Sequence, residues 1–314
     1  MARLLPILLF LAACGREEVS LTAFREIKLP VTQDLSAVWF TDSLHGTVTG
    51  GTAWASGFLL STADGGQTWS IDTTLNRKME HVMFSPNGQG YVCGQDMMLY
   101  RPSGDAHWQI MRVDYQWFRC VHFPTNNYGA VVSGGDFSGG QMRVFGPDVF
   151  WRLDTIHEAQ GELEAVWYPD STTIIAVGTG WAIRSADGGQ SRERLHLTGD
   201  FFTSVHFPDP FTGYICGNSG TILKTTDTGK TWITLRCGGP VGKRKKGFRA
   251  LWFSTPERGW LVGDNGIFWR TTDGGNSWQQ ATDAPKDADF TDVYVMDGHG
   301  WATAKEGRFF VFEE

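Results

Sequence analysis

An eight-residue turn pattern recurs along this chain and constrains its fold more than any other feature. The pattern Thr/Ser-x-Asp-x-Gly-x-Thr/Ser-Trp is complete three times, and a fourth copy has Arg192 in place of Trp. In such a turn the Asp accepts hydrogen bonds from backbone N–H groups further on, the Gly adopts a positive φ and the Trp anchors the next strand in the core. Each copy therefore predicts a tight turn between two strands. The structural residues of these turns are Asp64, Trp69, Asp187, Asp227, Trp232, Asp273 and Trp278.

A second repeat predicts the number of structural units. Seven six-residue strands align, and the first residues of successive strands lie 39 to 46 positions apart. A period of about 40–45 residues with several strands in each unit is typical of a propeller blade. The chain is therefore predicted to be all-β, a seven-bladed β-propeller of four-stranded antiparallel blades. The predicted inner strands are Leu35–Phe40, Met79–Phe84, Phe118–Phe123, Leu163–Tyr168, Phe202–Phe207, Phe248–Phe253 and Phe290–Val295.

The last unit is incomplete, and this predicts how the ring of blades closes. After Phe290 the sequence continues through two further strand-like segments but has no Asp turn and no fourth strand. Near the other end of the chain, Phe24–Leu29 alternates apolar and polar residues as a strand does. We expect this N-terminal strand to close the last blade, which removes free edges that invite aggregation. The propeller is predicted to span residues 20–314.

The first residues have the pattern of an export signal. A single Arg precedes an apolar run at residues 4–11, which is too short to span a bilayer, and the ending Leu-Ala-Ala-Cys resembles the bacterial lipoprotein signal. This resemblance implies a signal peptide over residues 1–13, lipidation of Cys14 and a tether over residues 14–19. Because Gly15 rather than Asp follows the Cys, the resemblance implies the outer membrane, on its periplasmic or surface face. An ordinary signal peptide with a coincidental Cys is the alternative.

Composition and motifs narrow the range of partners. Lys and Arg total 27 against 34 Asp and Glu, and the resulting net charge of −7 argues against nucleic acid as a partner. No metal-ligand spacing and no phosphate-binding glycine loop occurs, so we expect neither a metal nor a cofactor. His122 and His206 share a repeat position with Trp39, Trp167 and Trp252, so packing explains these histidines better than metal binding does. The protein is expected to be a monomer.

Two further features leave alternatives open. Cys93, Cys120, Cys216 and Cys237 remain after Cys14. Cys93 and Cys216 share a repeat position and are expected to be small core residues, but a Cys93–Cys120 bridge is conceivable in an oxidising compartment. The run Lys243–Lys246 is basic in an acidic protein, and it either docks an acidic partner or a lipid headgroup, or forms a solvated loop.

The second position of the seven inner strands is polar throughout and predicts a ring at one mouth of the central channel. The ring comprises Ser36, Glu80, Arg119, Glu164, Thr203, Arg249 and Thr291. One interpretation is a self-paired polar plug, because buried charges need partners. The other is a binding site in which Arg119, flanked by carboxylates, and Arg249 donate to an acidic group. Tyr115 and Trp117 lie close in sequence and are of the type that carries binding energy at interfaces.

The complete repeat of inner strand, Gly-Tyr/Trp-x-x-Gly-x-x-Gly and Asp turn resembles the photosystem II assembly and stability factor family of propellers. Gly259–Trp278 carries the resemblance best, and it extends over nearly all of the mature chain, although the second, third and seventh units lack a recognisable Asp turn. The resemblance implies a non-enzymatic scaffold without cofactors that binds partner proteins through a patch containing Arg119 and Arg249. For a lipid-anchored bacterial chain we expect the partner in the cell envelope.

Three alternatives to a scaffold remain. Sialidases also carry Asp turns, but those turns lie away from the sialidase active site, and a sialidase needs three Arg where the ring offers two. A hydrolase or lyase could use Glu80 and Glu164 as a carboxylate pair. A carbohydrate-binding propeller could use exposed Trp side chains. The sequence favours the scaffold, with no chemistry of its own.

Overall fold

The computed structural model of the protein describes residues 18–126, 128–134, 139–146, 154–158, 161–195, 197, 199–238 and 247–314. Cys14 and the run Lys243–Lys246 lie outside these residues. Within them no helix has the length and apolarity to cross a bilayer. The strands are β1 (Glu18–Val19), β2 (Thr22–Lys28), β3 (Leu35–Phe40), β4 (Gly46–Thr52), β5 (Ser56–Thr62), β6 (Ser70–Leu75), β7 (Met79–Phe84), β8 (Gly90–Arg101), β9 (Gln109–His122), β10 (Gly129–Ser133), β11 (Gly140–Phe145), β12 (Asp154–Glu158), β13 (Leu163–Trp167), β14 (Ile174–Gly178), β15 (Trp181–Ser185), β16 (Glu193–Leu195), β17 (Phe202–His206), β18 (Gly213–Gly217), β19 (Ile222–Thr225), β20 (Ile233–Arg236), β21 (Phe248–Phe253), β22 (Gly259–Gly263), β23 (Ile267–Thr271), β24 (Gln279–Ala281), β25 (Phe290–Met296), β26 (His299–Ala304) and β27 (Arg308–Glu313).

These strands form six sheets, and each sheet is one blade of a β-propeller. Three blades consist of four consecutive strands, namely β3–β6, β13–β16 and β17–β20. A fourth holds β21–β24 with β1 at its outer edge, and a fifth holds β25–β27 with β2. The sixth contains all of β7–β12. The all-β propeller predicted from the sequence is confirmed, but with six blades.

The prediction of seven blades of four strands each is wrong, and two long strands explain the difference. The seven predicted inner strands are all present, but β7 and the second half of β9 belong to the same sheet. β8 and β9 continue through positions where the repeat predicts separate strands. β9 pairs with β8 along its first half and with β10 along its second half. Backbone pairing therefore joins the second and third units of the repeat into one six-stranded blade.

The N-terminal segment ties together the two blades nearest the C-terminus. β2 pairs antiparallel with β27 and forms the outer strand of that blade, in the place where the sequence predicts a closing strand. β1 pairs in parallel with β24 on the neighbouring blade. The carbonyl oxygen of Val19 accepts a hydrogen bond of 2.9 Å from the N–H of Thr282. These pairings cover two sheet edges that would otherwise be exposed.

The Asp turns share one set of hydrogen bonds, shown here for the turn of Asp273. Its Oδ1 accepts from the N–H of Ser277 (2.9 Å) and its Oδ2 from the hydroxyl of the same residue (2.6 Å). Thr271 Oγ1 donates to Asp273 Oδ1 and accepts from the N–H of Gly275, both at 2.9 Å. Trp278 Nε1 donates to the carbonyl of Gly275 (3.1 Å). The hydroxyl and carboxylate bonds recur in the turns of Asp64, Asp187 and Asp227, and the indole bond recurs at Trp69 and Trp232.

Aromatic side chains pack the blades against each other. The ring of Phe253, at the end of β21, stacks on Tyr214 of the preceding blade at 3.6 Å between centroids. Its other neighbour is Gly259, where a Cβ would lie 2.5 Å from Cδ1 and Cε1 of Phe253. β22 therefore begins with glycine, because a side chain at position 259 would collide with the ring of Phe253. The same stacking joins Phe123 to Tyr91 at 3.7 Å.

Candidate functional site

The inner strands all run in the same direction along the central channel, so equivalent positions gather at the same end. We call the end where the inner strands begin the first mouth and the other end the second mouth. A cavity of about 520 Å³ opens at the first mouth. All seven residues of the polar ring predicted from the sequence line this cavity.

A β-bulge at the same place in every inner strand explains why these side chains converge. Phe248 pairs with Gly263 and Ala250 pairs with Val262, which leaves Arg249 without a partner in the ladder. In the other six inner strands the residue at the second position is likewise left unpaired by a shift in register. A bulge leaves one residue unpaired and re-aims its side chain. The repeat therefore delivers one polar side chain from each inner strand to a common cavity.

The guanidinium of Arg119 has a hydrogen-bond donor, Nε, that no acceptor of the described residues satisfies. Its guanidinium carbon lies 4.0 Å from the centroid of the Trp117 ring. Its nitrogens lie 3.8 Å from Glu162 Oε2 and 3.9 Å from Glu164 Oε1, which is close enough for ionic attraction but too long for a hydrogen bond. The Nε of Arg119 is buried and has no hydrogen-bond partner among the described residues. A buried donor without an acceptor is costly, so the neighbours of Arg119 leave part of its donor capacity unused.

Arg249 is satisfied by a carboxylate outside the predicted ring. Its Nε and Nη2 donate to the two oxygens of Asp264 at 2.8 and 2.9 Å, the bidentate geometry of a strong Arg–carboxylate pair. The self-paired interpretation therefore describes Arg249, although its partner was not foreseen. Asp264 directly follows β22, which pairs with the strand carrying Arg249, and this adjacency is the signal that sequence reasoning missed.

The two predicted carboxylates have different environments. Glu80 Oε1 accepts from the indole N–H of Trp117 at 2.8 Å, and Glu80 Oε2 lies 3.1 Å from Lys78 Nζ. Burial raises the pKa of Glu164 to about 7; the Arg119 cation opposes this rise and neighbouring Glu162 adds to it. Glu164 thus flanks Arg119 as predicted, whereas the ion-pair partner of Glu80 is Lys78.

Three aromatic residues, which we call the aromatic platform, are linked to Arg119 by contact or by sequence: Trp117 stacks on its guanidinium, Trp54 contacts Trp117, and Tyr115 precedes Trp117 by two residues. Tyr115 is on β9 with Trp117 and is 94% exposed. Trp54, between β4 and β5, is 53% exposed and meets Trp117 edge to face at 5.7 Å between centroids. Its φ is 60°, a strained value for a residue other than glycine, and its N–H donates to Gln95 Oε1 at 2.7 Å. Nothing in the repeat pattern singles out Trp54, because it lies in a turn.

The first mouth carries charges of both signs. Its cationic lining residues are Lys78, Arg119, Arg249 and Lys305, and its carboxylate residues are Asp34, Glu80, Glu162, Glu164 and Asp292. Burial also raises the pKa of Asp292, to about 7. Within the described ranges no group of three or more His, Cys, Asp or Glu side chains could hold a metal ion. Cys93, Cys120, Cys216 and Cys237 are free thiols, so the conceivable Cys93–Cys120 bridge is not formed.

The fold and the polar mouth define a β-propeller with a candidate ligand cavity at its axis. No protein-family model matches the chain, and no curated protein sequence matches it. Among solved structures, that of YCF48 bound to D1 peptide is 22% identical with a TM-score of 0.74, covering 96% of this chain and all of the other. YCF48 from Cyanidioschyzon merolae is 17% identical with a TM-score of 0.71, covering 93% of this chain and 99% of the other. These similarities show the fold.

Proposed function

We propose that the protein is a non-enzymatic scaffold that binds a segment of a partner protein at the first mouth. Arg119 carries the proposal, because it is a partly buried cation that lines the cavity and has an unused Nε donor. An acidic side chain or a carbonyl group of the partner would supply the missing acceptor. The aromatic platform would contact the apolar part of the same segment, since aromatic side chains and Arg supply most interface hot spots.

The pairing of Glu80 and Arg249 supports binding rather than catalysis by these two residues. Glu80 is held by Trp117 and Lys78, and Arg249 is held by Asp264. Lys78, Glu80 and Arg249 line the same cavity as Arg119. The solved structure of YCF48 bound to D1 peptide shows that a propeller of this fold holds a peptide, which supports a peptide ligand for this chain as well.

We further propose that the protein is lipid-anchored through Cys14 in a bacterial envelope, at the outer membrane. Inner strands run from the first mouth to the second and neighbouring strands alternate, so β24, the fourth strand of its blade, runs towards the first mouth. β1 is parallel to β24, so the chain enters β1 from the second-mouth side. Cys14 precedes Glu18 by four residues, a reach of at most about 14 Å. Such an anchor would turn the first mouth away from the membrane.

The test of the scaffold proposal is co-purification after mild cross-linking from native membranes. Tagged wild-type protein is compared with Arg119→Gln and with Arg258→Gln, whose side chain is exposed in the loop between β21 and β22. We expect one partner, identified by mass spectrometry, to be lost from Arg119→Gln and kept by Arg258→Gln. Equal recovery with all three proteins would reject the assigned site. Incorporation of labelled fatty acid that Cys14→Ser abolishes would support the anchor, and its absence from wild type would rule the anchor out.

A further inference from the structure

The second mouth is a cavity with a chemistry unlike that of the first. Its volume is about 670 Å³, within the usual range for small-molecule sites. It is lined by the fifth residue of each inner strand, just as the first mouth is lined by the second residue. These fifth residues are Trp39, Met83, His122, Trp167, His206, Trp252 and Tyr294.

Three indole rings form the floor of this cavity. The ring of Trp252 meets those of Trp39 and Trp167 edge to face, at 5.8 and 6.0 Å between centroids. All three indoles are only partly buried, whereas Trp260 and Trp301 inside the blades are 0% and 2% exposed. The fold therefore buries Trp completely where it is needed for packing. The three channel indoles instead keep part of their surface open, and they line both the second-mouth cavity and the first-mouth cavity.

Two buried imidazoles add hydrogen-bond donors beside this floor. Nδ1 of His122 accepts from the N–H of Tyr168 at 3.3 Å, and Nδ1 of His206 accepts from the N–H of Phe253 at 3.4 Å. Burial lowers the pKa of each imidazole to about 3, so both are neutral at physiological pH. With Nδ1 accepting, the proton of the neutral ring is on Nε2. Neither Nε2 has a hydrogen-bond partner among the described residues.

The charge of the lining excludes other ligand classes. Asp297 is the one charged side chain among the described lining residues, so an anion finds no cation there. A cation could stack on indole, but it would bring no acceptor for the two Nε2–H groups. A wholly apolar ligand would also leave these donors unpaired, at a cost in affinity. The ligand must therefore be uncharged, carry acceptor oxygens and present an apolar face to the indoles.

We propose that the second mouth binds a neutral saccharide, with the C–H face of a pyranose ring on the indole of Trp167, which packs against the imidazoles of both His122 and His206. The Nε2–H groups of His122 and His206 donate to sugar oxygens. Tyr294, the remaining aromatic residue of the ring, offers a phenol hydroxyl as donor and acceptor. Trp39, Trp167, His206, Trp252 and Tyr294 line both cavities, so this aromatic layer is the wall between the two mouths. The proposal does not depend on the proposed scaffold function.

The test is calorimetric titration of the purified protein with maltose, cellobiose, lactose and N,N′-diacetylchitobiose. Choline and N-acetylneuraminic acid are the cationic and anionic controls. His206→Asn removes the Nε2–H but keeps an acceptor for the N–H of Phe253, and Trp167→Phe reduces the stacking surface. Arg119→Gln, at the opposite mouth, is the matched control. A parallel titration with phosphatidylcholine vesicles, with and without a neutral galactosyl lipid, distinguishes a glycolipid headgroup from a free sugar.

We expect at least one neutral disaccharide, or the galactosyl lipid, to bind, and His206→Asn and Trp167→Phe each to weaken binding by about tenfold or more, a typical effect of losing one good contact. Arg119→Gln is expected to bind as wild type does. Thermal unfolding of each variant shows that the fold is kept. The proposal is overturned if no neutral saccharide binds at about 10 mM, well above the millimolar Kd of weak complexes. It is also overturned if choline or N-acetylneuraminic acid binds instead, or if folded second-mouth variants bind as wild type does.

Discussion

The guanidinium carbon of Arg119 lies 4.0 Å from the centroid of the Trp117 ring, and the indole N–H of Trp117 donates in turn to Glu80. Stacking therefore orients this cation, whereas a hydrogen-bonded carboxylate orients Arg249. A cation–π contact contributes roughly 0.5–2 kcal/mol and uses none of the N–H donors. The guanidinium is oriented by the ring, and its Nε donor is left without a hydrogen-bond partner within the part of the chain that the structure describes.

Replacing Arg119 with an uncharged residue should change the pKa of the neighbouring Glu164. We expect Arg119→Gln to raise the pKa of Glu164 further above its present value of about 7, because the nearby cation favours the ionised carboxylate. Carboxyl ¹³C chemical shifts followed against pH measure the change. Arg249→Gln is the control and should leave Glu164 nearly unchanged. A Glu164 pKa that stays the same or falls in Arg119→Gln would show that the two side chains do not interact.

Asp292 should make folding stability depend on pH. Burial raises its pKa from 3.8 to about 7, so between these values the native state holds a proton that the unfolded state has released. The resulting stabilisation is complete below about pH 4 and is lost as pH rises to 7, by up to about 1.4 kcal/mol per pH unit. Asp292→Asn does not titrate. We therefore expect the wild-type free energy of unfolding, measured by urea denaturation, to decline relative to that of the variant between pH 4 and 7. A constant difference would refute the raised pKa.

Gly259 should tolerate no side chain. Its Cβ would lie 2.5 Å from the ring of Phe253, and Tyr214 stacked on the other face prevents that ring from moving away. We expect Gly259→Ala to lower the free energy of unfolding by about 1–3 kcal/mol, as overpacking of a core does. The control is Gly199→Ala, where nothing lies within 4 Å of the added Cβ. Thermal unfolding compares the two, and equal stability would show that the stack can adjust.

The Asp turns should depend on their buried hydroxyl. Thr225 Oγ1 donates to Asp227 and accepts from the N–H of Gly229, so Thr225→Val leaves a buried N–H unpaired at a cost of about 1–3 kcal/mol. Thr231→Val removes a hydroxyl from the exposed side of the same turn and should cost less. Urea denaturation measures both variants. A larger loss for Thr231→Val would contradict this ranking.

The sequence repeat predicts well which residues occupy equivalent places in the propeller. It predicts poorly the contacts between residues at different repeat positions. Because the bulge occurs at the same place in each inner strand, residues such as Glu80 and Thr203, which are equivalent in sequence, meet at one cavity. The blade count was not predictable, since the joining of the second and third units depends on how the backbone of β8 and β9 pairs. The Arg249–Asp264 pair joins side chains that no shared repeat position links.

Trp54 was not predictable for a different reason. It belongs to the candidate site through a contact with Trp117 of the adjacent blade, and the equivalent turns of other blades carry no Trp. The sequence predicted part of the second mouth, namely which residues share one repeat position. The shared position of His122, His206 and three Trp residues predicted packing, but the exposed indole surface and the unused Nε2 donors became visible only in three dimensions.

The most direct test of the scaffold site is photo-cross-linking with benzoylphenylalanine in place of Tyr115. That side chain is 94% exposed on the aromatic platform, so the replacement should not disturb the fold. Phe211, 64% exposed in the loop between β17 and β18 on the second-mouth side, takes the same probe as a control. We predict a discrete cross-linked partner from position 115 that Arg119→Gln abolishes, and none of the same mass from position 211. No adduct at position 115, or the same adduct from both positions, would contradict a partner-binding site at the first mouth.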